Sequence, residues 1–105
     1  MTSTTYSIRT GCGTLHLTYV DGEILAHLSR GGSCPAAVCH AMVRTLNIAL
    51  RHGASLGECA RELKGIECPN ALWTEGRKVT SCIDAIGILL EKVEVRRTKD
   101  VSCAA

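Results

Sequence analysis

Between Thr14 and Val20 apolar and polar residues alternate. Leu15, Leu17 and Tyr19 fall on one side, and Thr14, His16 and Thr18 on the other. A period of two predicts a strand with one buried face. Asp21-Gly22 follows, a dipeptide suited to a two-residue hairpin turn, and Glu23 to Leu28 continues as a second strand. Tyr6 to Arg9 predicts a third, set off by a turn at Gly11-Cys12-Gly13. The simplest arrangement is a small antiparallel three-stranded meander.

The period then changes. Ser33 suits a helix cap, Pro35 suits the first turn, and Gly53 suits a C-terminal stop. Between them Val38, Met42, Leu46, Ile48, Ala49 and Leu50 predict a broad apolar face. Ser55-Leu56-Gly57-Glu58 has the form of a capping box and predicts a second, shorter helix ending near Gly65. Ser81-Cys82-Ile83-Asp84 has the same form and predicts a third, carrying Ile83, Ile86, Leu89, Leu90 and Val93. The fold class is α+β: a three-stranded meander followed by three helices packed on one face. Gly65 to Thr80 shows no clear period. A stretch of that length inside a compact domain needs something to hold it, and Cys68 and Trp73 are the candidate anchors. Residues 98–105 are expected to be a flexible tail.

At 105 residues the chain makes one domain, 1–105. It has no phenylalanine and one tryptophan. Its core must therefore be aliphatic and of modest stability, and a metal staple would help such a chain. The net charge of +2 is nearly neutral, and Arg96-Arg97-Thr98-Lys99 is too short a basic run to argue for nucleic acid. No apolar stretch approaches the roughly twenty residues of a membrane span. The N-terminus lacks the basic-then-apolar order of a secretion signal. A cytoplasmic protein is expected, and its seven cysteines should then be reduced rather than paired in disulfides.

Four of those cysteines sit at glycine-, serine- or proline-marked breaks: Cys12 in Thr-Gly-Cys-Gly, Cys34 in Gly-Gly-Ser-Cys-Pro, Cys68 in Gly-Ile-Glu-Cys-Pro and Cys82 in Thr-Ser-Cys-Ile-Asp. Loops and helix starts are where a thiolate can face a metal. Cys34 and Cys82 fall at helix starts, where free N–H groups and the helix dipole favour the thiolate. There is no Cys-x-x-Cys pair, so a four-cysteine site would have to draw its ligands from four separate segments. The alternative is that free cysteines pack as small hydrophobes. Cys39 and Cys59 are read as core residues and Cys103 as part of the tail. His16 and His27 fall on a solvent-facing side of the strands, and His52 lies in a last helical turn. His40 lies six residues after Cys34 and could face the site, though a residue with no part in it is the favoured reading. Asp84 and Glu58 are read as helix caps, and no catalytic constellation stands out.

The segments Thr10-Gly11-Cys12-Gly13, Gly32-Ser33-Cys34, Leu63-Lys64-Gly65-Ile66-Glu67-Cys68-Pro69, Trp73 with Glu75-Gly76-Arg77-Lys78, and Thr80-Ser81-Cys82-Ile83-Asp84-Ala85-Ile86 come in an order that resembles the TSCPD domain. That domain occurs alone and at the C-terminal end of adenosylcobalamin-dependent ribonucleotide reductases. One departure is Ile83, where the family's name-giving motif has proline. The resemblance implies a metal site with Cys12, Cys34, Cys68 and Cys82 as ligands. It also implies an association with ribonucleotide reductase, without the reductase's own catalytic parts. Zinc suits a closed four-thiolate site and would make the role structural. The alternative is a thiol-redox or iron–sulfur scaffold-like protein that delivers electrons or sulfur to a reductase, with Cys34 and Cys82 as the reactive pair. The layout also has a fainter likeness to iron–sulfur cluster scaffold proteins, at the level of fold alone.

Overall fold

The computed structural model describes residues 4–29, 34–69, 71–74 and 76–104. Strands β1 (Thr4–Thr10), β2 (Gly13–Val20) and β3 (Glu23–Leu28) form an antiparallel sheet in the order β1-β2-β3. The register sets Ile8 opposite Leu15 and Leu17 opposite Ala26. The alternation predicted from Thr14 to Val20 holds, with Leu15 and Leu17 fully buried. Asp21 and Gly22 both take positive φ, 53° and 78°, the backbone a two-residue hairpin needs to match the strand twist.

Helix α1 (Cys34–Arg51) packs along β3, and helix α2 (Leu56–Leu63) packs on helix α3 (Cys82–Ala104). α3 in turn lies across β1 and β2, so the sheet is covered on its inner face by helices, as expected. From Cys82 to Leu90 only Ile83 is more than slightly exposed, because sheet and α2 sandwich this half of α3. Two interior helix ends follow the sequence closely. At Gly53, φ is 101°; its N–H donates to Leu50 and that of Ala54 to Ala49, a Schellman stop. At Ser55 both halves of the capping box are made, Ser55 Oγ accepting from Glu58 N at 3.0 Å and Glu58 Oε1 from Ser55 N at 3.1 Å. Ser33, expected to cap α1, lies outside the described residues.

Three expectations need correction. The buried stripe of α1 is Cys39, Val43 and Leu46, whereas Val38 and Ile48 point to solvent. Residues 39, 43 and 46 keep the i, i+4, i+7 spacing of one helix face, and Val38 and Ile48 fall off it. The stretch from Gly65 to Thr80 contains a short antiparallel hairpin, β4 (Leu72–Thr74) with β5 (Arg77–Val79). Trp73 is not an anchor: it is 73% exposed. Val79 is fully buried opposite Leu72, so alternation turns Trp73 and its partner Lys78 outward. Apart from these, the backbone of α3 is helical through Ala104. No proline or glycine follows Gly87 to stop it.

Gly87 marks the tightest approach of α2 to α3. A Cβ built there would lie 2.9 Å from Lys64 Cγ, 3.0 Å from the Ala60 carbonyl oxygen and 3.2 Å from Leu63 Cβ. The carbonyl belongs to a helix backbone and cannot swing aside. Gly87→Ala is expected to cost about 1–3 kcal/mol through forced separation of the two helices, despite alanine's better helix propensity. Urea unfolding followed by circular dichroism checks this; an unchanged midpoint would mean the helices part freely.

Candidate metal centre

The β1–β2 turn carries Cys12. Thr10, itself buried, braces that turn: its Oγ1 accepts from Cys12 N at 3.0 Å and donates to the Gly13 carbonyl at 2.8 Å. The Cys12 amide is therefore committed to Thr10. Its side chain is buried.

Cys82 opens α3. Ser81 caps that helix, its Oγ accepting from Asp84 N at 2.9 Å and donating to the Ile66 carbonyl at 2.6 Å. The Asp84 carboxylate does not close a second capping box. It reaches outside the helix instead, Oδ1 accepting from Gly65 N at 2.9 Å and Oδ2 from Thr80 N at 3.0 Å. Thr80 Oγ1 also donates to the Ile66 carbonyl, and Cys68 N donates to the Thr80 carbonyl. The loop 65–68 is thus stitched to the start of α3, and Cys82 is held in place.

The third sulfur is Cys39, on the buried stripe of α1. Its thiol hydrogen bonds to the Cys82 sulfur. That bond is the largest influence lowering the Cys82 pKa from 9.0 to about 6; burial opposes it, and the N–H groups of Cys82 and Ile83 at the helix start and the Cys12 thiol assist. Cys39 is pushed strongly upward, first by the same hydrogen bond, then by burial and by the charges of Cys82 and Cys12. The opposite directions of the two shifts favour Cys82 as the thiolate and Cys39 as the hydrogen-bond donor. Turn, α1 and α3 so meet at a cluster of three sulfurs.

Of the four cysteines chosen from sequence, the fold brings Cys12 and Cys82 together. Cys34 is exposed at the first position of α1. Five residues separate it from Cys39, which places it about 140° around the helix. Cys68 is half-buried on the stitched loop. Neither is among the groups that act on Cys82. His40 is exposed. Cys59 is buried in α2, its thiol raised first by burial and then by Glu58, as befits a core residue. The side chain of Cys103 lies outside the described residues. Cys39 was missed because a mid-helix cysteine reads as core. The signal available for it was its place on the stripe with Val43 and Leu46.

As they stand, no three or more His, Cys, Asp and Glu side chains among the described residues are set to hold a metal ion. The donor chemistry nevertheless suits a soft metal: Cys12, Cys39 and Cys82 lie close enough to act on one another, and a cation would displace the proton that Cys39 donates to Cys82. No helix among the described residues is long and apolar enough to cross a membrane.

A small α+β domain with a sulfur cluster between its first turn and its last helix is thus defined. The TSCPD domain family matches residues 1–94, and the chain belongs to it. Neither the curated proteins nor the solved structures include a match to the chain.

Proposed function

We propose that this domain binds zinc through cysteine sulfur and serves as a cytoplasmic accessory module to a ribonucleotide reductase or a related protein. The observation that carries the metal reading is the meeting of Cys12, Cys39 and Cys82, in which Cys39 and Cys12 favour the Cys82 thiolate. Cys12 and Cys82 are also common to the ligand set that the family resemblance implies, Cys12, Cys34, Cys68 and Cys82. Of the other two, Cys68 is the better placed to supply a fourth sulfur. Its backbone is bonded to Thr80, two residues from Cys82, and its side chain is half-buried. Zinc held by four thiolates has no open position, so the ion would tie turn, loop and helix starts together without doing chemistry of its own. The link to the reductase rests on where the family's domains occur.

Zinc content and cobalt(II) spectra of the untagged protein test this. One zinc per chain is expected to survive dialysis, and cobalt should give an intense thiolate charge-transfer band. Cys12→Ser, Cys39→Ser and Cys82→Ser should each lose the metal, and Cys34→Ser should retain it. Protein that keeps no zinc when refolded in its presence would sink the reading.

A second reading has a specific observation behind it. A buried thiol hydrogen-bonded to a thiolate, as Cys39 is to Cys82, is also the resting arrangement of a redox pair. The partner of Cys82 would then be Cys39 rather than Cys34. With Cys82 only 7% exposed, a protein disulfide cannot reach it without opening the fold, which favours metal over thiol exchange. Loss of two free thiols on mild oxidation of zinc-free protein, or a brown anaerobic preparation from an iron–sulfur cluster, would reverse that preference.

A further inference from the structure

A groove of about 580 Å³ runs between α3, β1 and the β4–β5 hairpin, well within the range of ligand-binding clefts. Its apolar surface comes from Ile88 at the base, half-buried Tyr6 and Val95, which is 55% exposed. Its charges are Arg77 on the hairpin, and Glu91, Lys92 and Arg96 on α3. Glu91 is already engaged, its Oε2 accepting from Lys64 Nζ at 2.8 Å. With Glu91 paired to Lys64, exposed Arg77 and Arg96 leave an apolar floor with a predominance of positive charge, in a chain whose net charge is only +2.

We propose that this groove docks an acidic segment of a partner protein that also carries apolar side chains. The positive excess selects the sign of the partner. The floor selects its apolar component, since Val95 and Tyr6 would stay wetted beneath a bare anion. The shape selects a segment rather than a compact ion. Ile88 and Arg96 lie eight residues apart on α3, about 12 Å along its axis, the reach of about four extended residues. The groove lies outside the sulfur cluster and has no cysteine among its described lining residues, so this inference stands whether or not the metal reading does.

The test uses the full chain and a short fluorescent peptide that alternates glutamate with leucine. Control peptides replace glutamate by glutamine or leucine by serine, and inorganic phosphate and a single-stranded oligonucleotide serve as competitors. The acidic, apolar peptide is expected to bind, with amide NMR shifts centred on Tyr6, Arg77 and residues 88–96. The doubly reversed variant Arg77→Glu, Arg96→Glu should weaken it by about tenfold or more. Both residues are exposed, so the variant should melt as the parent does. Val95→Asp offers a second variant that removes floor rather than charge, and should weaken binding likewise. Equal affinity for the glutamine control, equal affinity in both variants, shifts centred on the Trp73 side of the hairpin, or displacement by phosphate or oligonucleotide as effective as by unlabelled peptide would each overturn the proposal.

Discussion

Asp84→Ala is expected to destabilise the protein by about 3 kcal/mol or more, enough to lower the melting temperature of a chain this size by about 15 °C. Asp84 is buried, and its two carboxylate oxygens accept from backbone N–H groups at separate places, Gly65 and Thr80. Each is a hydrogen bond to a charged group, and such bonds contribute more than neutral ones. The charge also sits in the first turn of α3, where the helix dipole favours it. Removing it releases the loop 65–68 from α3 at the end where Cys82 opens the helix. Asp84→Asn separates these effects. The amide retains one acceptor, but its NH2 group must face a backbone donor, so about half the loss or more should remain. Hydrogen exchange should show faster exchange at Gly65 and Thr80 first. A variant that melts within a degree or two of the parent would mean that these bonds are replaced without cost by water. A residue that sequence reasoning takes for a helix cap would then be no more than that.

The contrast between cap and clamp shows what the sequence can reveal here. Local pattern was legible: the alternation of β2, the Asp21-Gly22 turn, the Ser55 capping box and the stop at Gly53 depend only on near neighbours. The hairpin of β4 and β5 was not, because strands of three residues offer too few positions for a period to show. Trp73 misled for a related reason. Its size argues for burial, but its side of the hairpin is decided by Val79, whose burial is a tertiary fact. Of the site, Cys12 and Cys82 were legible as cysteines at structural breaks. Cys39 was not, since its meeting with Cys82 depends on how α1 crosses above the sheet, and nothing near residue 39 encodes that crossing.

In the metal-free protein, kept reduced and in chelator, stability is expected to rise as pH goes from about 6 to about 9 and then to fall. The Cys82 pKa is lowered from 9.0 to about 6 by the fold. Across that window an unfolded chain still binds the Cys82 proton while the folded chain does not, so raising pH draws the equilibrium toward the fold. The stabilisation is complete above the unfolded value and disappears as pH falls through about 6. Cys39 works in the opposite sense at higher pH. Its raised pKa makes the folded chain keep a proton that the unfolded chain sheds, so stability turns down above about 9, and buried Cys59 adds to that fall. Cys39→Ser replaces the thiol by a hydroxyl that can still donate and should keep part of the slope. Cys39→Ala removes the donor, returns Cys82 toward its ordinary range and should flatten the profile between 6 and 9. Urea unfolding at stepped pH measures both. A flat profile in the parent would mean that Cys82 is not held as a thiolate, and the strongest support for a sulfur-bound metal would be lost with it.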